Sequence, residues 1–279
     1  MLEQSVATFK SFFIYPGLSV NYILIGVLLG IVFGAIWLCA HWPPLFKNTW
    51  FWAVAVVSAF LTVAAICFIQ QPVQTWLGNV ISNSFNQVTI ITWLLLLGIP
   101  QILVSGLVQE GTKMVPIAVW WWRSGKNITP GLGLAIGAIA GAGFGIFEAI
   151  WVHNQMFAAG WTAAAIQTDG FIGIAGFWER FFAIGFHVAV SSLAGYGLAK
   201  GKGWQFYLIA AALHSLFNYG VVVRQYFYLR YGFDTLVHVE LFIAVLAVVV
   251  AVWALLLRWG RTEEAEMEAI AETDTGELP

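Results

Sequence analysis

The stretch GLGLAIGAIAGAGFGIFEAIWV, residues 131–152, holds six glycines and a single charged side chain, Glu148. A nearly uncharged apolar run longer than about 18 residues is long enough to cross the hydrocarbon core as a helix. Small residues let membrane helices approach closely, and Gly137-Ala138-Ile139-Ala140-Gly141 has the GxxxG spacing that does so. This one segment therefore reads as a spanning helix built to pack tightly on its neighbours.

The rest of the chain agrees. It has 279 residues, 60% of them hydrophobic and 9% charged, with mean hydropathy +0.83. Soluble domains carry about 25% charged residues, so a water-soluble fold is excluded. Further spans are expected at residues 21–40, ended by His41-Trp42-Pro43-Pro44, and at 50–69, ended by Gln70-Gln71-Pro72. A polar, Asn-rich linker follows to Gln87. Pro100 divides the apolar region 88–122 into a partial or re-entrant helix and a spanning part. After the span at 131–152, a longer loop at 153–179 carries an amphipathic segment and has the position of a lid. Residues 180–199 and 204–222 form a hairpin of spans, and the last lies at 238–257.

The expected fold is an all-α transmembrane bundle of about seven spans, one domain over residues 1–261, with a catalytic core at about 100–222. Residues 262–279 form an acidic, disordered tail. The first apolar run has no small-residue cleavage site after Lys10, so it reads as a span and not a cleavable signal. Cys39 and Cys67 read as small buried hydrophobes. The net charge of −2 gives no basic patch for nucleic acid. Lys47, Arg123, Lys126, Lys200, Lys202, Arg258 and Arg261 fall on one side of the membrane, and Lys10, Arg180, Arg224 and Arg230 on the other. The positive-inside rule makes the first side, with the C-terminal tail, cytoplasmic. Trp residues near span ends, among them Trp120–Trp122 and Trp204, suit interfacial belts.

Ionisable groups inside the membrane cost at least about 2.5–3.5 kcal/mol each, and persist where they pair, line water or do chemistry. Four clusters stand out. Glu110 and Lys113 share a helix face, beside Gln109. Glu148 lies beyond the glycine-rich face and has no partner in its own helix. Arg180, His187 and Ser191 form one stripe, in which Arg180 also reads as an interfacial, snorkelling side chain. His214 and Asn218 are four apart on one face. Each has a purely structural reading as an ion pair or an interhelical hydrogen bond. One shared hydrated site is the more economical account of all four.

A carboxylate can act as general base, and Asn218 can donate to an oxyanion. A carboxylate with two histidines is also a zinc set, here Glu148, His187 and His214. No H-E-x-x-H motif is present to fix a metal locally. The same residues suit a proton-coupled transporter, although Pro100 has no matching helix break in the second half. A non-catalytic membrane scaffold is the third reading.

The order Q-E-G-T-K (109–113), F-G-I-F-E (144–148), R-x6-H (180–187) and H-S-L-F-N (214–218) resembles the PrsW-type intramembrane endopeptidases, whose pattern is E-E-x-x-K, F-x-x-x-E, a histidine, and H-x-x-x-N. The phrase E-R-F-F-A-I-G-F-H-V-A-V-S is similar to the YhfC group, and both resemble the CAAX-processing endopeptidases. The resemblance implies a prokaryotic plasma-membrane peptidase, glutamic or metallo in type, that cuts a membrane protein or membrane-anchored peptide. It implies Glu110, Glu148, His187 and His214 in the active site, with Gln109, Lys113, Arg180 and Asn218 auxiliary. This chain departs from the pattern at Gln109, where the family has its first glutamate.

Overall fold

The computed structural model describes residues 2–41, 49–126 and 128–274, with side chains to residue 260. The described residues are helical, with no strand among them. Numbered in order, the helices are α1 (Leu2–Ser11), α2 (Val20–Leu38), α3 (Trp50–Ala65), α4 (Gln71–Ser84), α5 (Gln87–Thr92), α6 (Leu94–Leu97), α7 (Ile99–Arg123), α8 (Pro130–Ala158), α9 (Ala164–Asp169), α10 (Phe171–Ala199), α11 (Gly203–Tyr231) and α12 (Leu236–Asp274). Among the described residues, seven helices are long and apolar enough to cross a membrane. The protein is an all-α polytopic bundle.

The centre is the antiparallel pair α8–α10, and the sequence explains why. Gly133, Gly137 and Gly141 recur every four residues, so they share one face of α8. A Cβ at Gly133 would meet the carbonyl of Gly195, one at Gly137 that of Ser191, and one at Gly141 that of His187. The two backbones run in contact, and this register sets the height of His187 beside α8. Gly143 turns another face of α8 to the backbone of Ala55 on α3. On a third face, Gly26, Gly30 and Gly34 of α2 receive Asn154, Ile150 and Ile146. Gly141→Ala is expected to cost about 1–3 kcal/mol by overpacking and to displace His187. Thermal unfolding in detergent checks it, with Gly131→Ala, which meets nothing within 4 Å, as the unaffected control.

Several boundaries differ from the sequence reading. The second span does not end at Gln70-Gln71-Pro72. A π turn at Ile66–Gln70 joins α3 to α4, and the helix runs over Trp50–Ser84, 35 residues. Pro72 sits in the first turn of α4, where its missing N–H is tolerated. The Asn-rich stretch is therefore helix, and the wide turn absorbs the break. The apolar region breaks at Trp93, between α5 and α6, and not at Pro100, which sits in the first turn of α7 inside a span over Leu94–Arg123. The 153–179 loop is mostly helix, because α8 continues to Ala158, α10 begins at Phe171 and α9 lies between them. Cys67 is buried, but Cys39 is exposed on the bundle surface. The acidic stretch continues the backbone of α12 to Asp274. Trp42, Pro43, Pro44 and Lys47 lie outside the described residues.

Candidate functional site

All four polar clusters lie on spanning helices, and α7, α8 and α11 each pack on α10, which carries His187. Glu110 is eleven residues past the start of α7, or about 16 Å along its axis, so it stands near mid-span. His187 and His214 lie at similar depths on α10 and α11.

Glu110 is the hub. Its Oε1 accepts from Lys113 Nζ at 2.5 Å and lies 2.5 Å from His214 Nδ1. Its Oε2 accepts from Ser191 Oγ at 3.4 Å. Lys113 Nζ also lies 3.1 Å from His187 Nδ1. Glu110 is 1% exposed and Lys113 0%, so neither charge has water to fall back on. The Phe144 ring stands 5.1 Å from His187, edge to face, and 5.7 Å from the Lys113 ammonium. Phe186 stands against His214 at 6.0 Å. These rings wall the cluster with apolar surface, where electrostatic interactions are stronger than in water.

Glu148 joins from α8. Its Oε2 is 3.3 Å from His187 Nε2 and accepts from the Arg180 guanidinium at 3.0 Å. Arg180 also pairs with Glu179. Arg180 is buried, so it is not the snorkelling side chain its sequence position suggests. The glycine face makes this possible, because Gly145 leaves room for the His187 ring at 3.3 Å.

Gln109 and Asn218 belong to an adjoining network. Gln109 Nε2 donates to Gln70 Oε1 at 3.1 Å and to Ser105 Oγ at 3.2 Å. Asn218 Nδ2 donates to the same Ser105 hydroxyl at 2.9 Å. Gln70 and Ser105 carry no charge, and sequence reading missed both. The i, i+4 spacing of Ser105 and Gln109 was the available signal.

One ligand atom each from Glu110, His187 and His214 lie within 4.8 Å of one another. A carboxylate and two imidazoles are a familiar zinc donor set. The Lys113 ammonium already touches Glu110 and His187, so it would have to turn aside for a metal ion to share these donors. The carboxylate grouped with the histidines is Glu110, whereas the sequence reading put Glu148 there. Glu148 is engaged by Arg180 and stands behind His187. A carboxylate behind a ligating histidine is a common outer-shell arrangement.

No curated protein and no solved structure matches this chain. Residues 47–255 match the PrsW family intramembrane metalloprotease, a span that includes every residue of the cluster. With well over half of its length matched, the chain belongs to the PrsW family of intramembrane metalloproteases.

Proposed function

We propose that this protein hydrolyses a peptide bond of a membrane protein or membrane-anchored peptide within the bilayer, at the Glu110–His187–His214 cluster. The observation that carries the reading is the convergence of these three donors near mid-span, within 4.8 Å. Glu110, His187 and His214 would hold zinc. Bound there, zinc would supply Lewis acidity, polarising a peptide carbonyl and acidifying water.

The chain's own residues do the rest. Glu148 accepts from His187 Nε2–H, which leaves Nδ1 unprotonated and facing the Lys113 ammonium. Arg180 and His187 both engage Oε2 of Glu148, and its other carboxylate oxygen would take a proton from water and pass it to the leaving amine. Arg180 holds Glu148 in place. Lys113 balances the Glu110 charge. Asn218, held by Ser105, is the nearby amide donor for a developing oxyanion. Gln109 faces Gln70 and Ser105, so a glutamine in place of the family's first glutamate leaves the charges of the cluster intact.

The kinship with the YhfC group and the CAAX-processing endopeptidases, resting on residues 179–191, is part of the same reading. So are a prokaryotic plasma membrane and a cytoplasmic C-terminal end, for which the Lys and Arg distribution is the support.

The test is cleavage of a single-span reporter protein co-reconstituted in vesicles. The wild type is expected to cut it. Glu148→Gln is expected to lower the rate about 10²–10⁴-fold, the usual worth of a general base. Equal cleavage by this variant would remove Glu148 from the mechanism, and proton-driven solute uptake without cleavage would favour a transporter.

A further inference from the structure

A cavity of about 310 Å³ opens between α1, the start of α4 and the start of α7. Gln4, Thr8, Gln71, Gln74, Thr75 and Gln101 line it, with Ser5 and Pro72. Apart from Pro72, every lining residue carries an uncharged amide or hydroxyl. In a chain this apolar, such a concentration of neutral polar groups needs a cause. The π turn before Gln71 produces part of it, by resetting the helix phase so that Gln70 turns inward while Gln71 and Gln74 face the cavity.

Hydrogen bonds connect the groove to Gln109, in the network adjoining the site. Gln74 Nε2 donates to the Gln101 carbonyl at 2.8 Å. Gln70 Nε2 reaches Gln74 Oε1 at 3.4 Å, and Gln109 Nε2 donates to Gln70 Oε1 at 3.1 Å. Gln109 is 5% exposed, and its Oε1 is buried with no hydrogen-bond partner. An unused buried acceptor is costly unless something donates to it. On α7, Gln101, Ser105, Gln109 and Lys113 follow one another at four-residue steps, a polar stripe from the groove to the charged cluster.

We infer that this groove binds the extended backbone of the substrate on one side of the bond to be cut. The inference rests on the proposed peptidase reading. A spanning helix satisfies its own backbone groups, and a peptide bond must be freed from that helix before it can be attacked. Each residue unwound exposes an N–H and a C=O inside the bilayer. Primary amides offer both a donor and an acceptor and carry no charge to desolvate. They therefore match an unwound backbone whatever its side chains. From Gln101 to Gln109 the helix rises about 12 Å. Extended chain covers about 3.3 Å per residue, which places the cleaved bond roughly four residues from the segment held in the groove.

The experiment uses the full-length protein in detergent micelles and one probe, an uncharged, end-capped alternating Ala-Leu peptide with a fluorophore, about ten residues long. Binding is read by fluorescence anisotropy. The triple variant Gln71→Leu, Gln74→Leu, Gln101→Leu is expected to raise Kd about tenfold or more. Independently of any variant, N-methylation of alternate peptide amides is expected to raise Kd on the wild type by about as much. Glu148→Gln, impaired in hydrolysis, is expected to bind as the wild type does. No binding by the wild type overturns the inference. So does either perturbation leaving Kd within about twofold. A protein that binds the peptide through the groove but cuts no membrane substrate upholds the groove and overturns the peptidase reading.

Discussion

Glu110→Gln is expected to abolish cleavage and to destabilise the protein by about 3–5 kcal/mol, the usual cost of stranding a buried charge. The stranded charge is Lys113, fully buried and bonded to Glu110 and His187. Adding Lys113→Met removes that ammonium. The double variant is expected to regain most of the lost stability and none of the activity. The two readouts separate the roles that one ion pair combines. A structural pair predicts a double variant that is both stable and active. Thermal unfolding in detergent and reporter cleavage, measured on the same preparations, check the cycle.

Arg180→Leu is expected to cost a similar amount, about 3–5 kcal/mol. Arg180 pairs with Glu148 and Glu179 and lies in the field of Glu240, itself 4% exposed. Without the guanidinium these carboxylates crowd one another inside the bundle. Arg180→Lys keeps the charge but not the fork that reaches two carboxylates at once, so it should recover stability only in part. An Arg180 lying free at the interface would make both variants neutral. Urea unfolding of the purified protein distinguishes the outcomes.

Much of this was legible in the sequence. The seven spans follow from apolar length, and the close packing of α8 follows from the Gly137–Gly141 spacing, although the spacing does not name α10 as its partner. The four polar clusters are visible because each interrupts an apolar run, where an ionisable group is costly. What the sequence does not carry is which clusters meet. On sequence alone Glu148 is a candidate metal ligand with no partner in its own helix. Its engagement by Arg180 depends on the height at which α10 passes α8. Likewise, Lys113 is read locally as the partner of Glu110, and its approach to His187 belongs to the tertiary fold. The helix through Pro72 was missed because a proline after two glutamines reads as a terminus, and the π turn that accommodates it has no clear local signal. The short helix α1 was missed for a different reason. It spans nothing, and only its packing on the π turn shows its place.

If Glu110, His187 and His214 form one cation-binding hydrolytic centre, the three hold a metal ion together. The most direct test is the zinc content of protein purified with limiting zinc and washed free of loosely held ions, measured by mass spectrometry. The wild type is expected to retain about one ion per chain, and Glu110→Gln/Lys113→Met, His187→Ala and His214→Ala to retain almost none, as loss of one of three protein ligands implies. A wild type that cuts its substrate with no metal bound, or three variants that keep a full complement of zinc, would rule out a zinc centre at these residues.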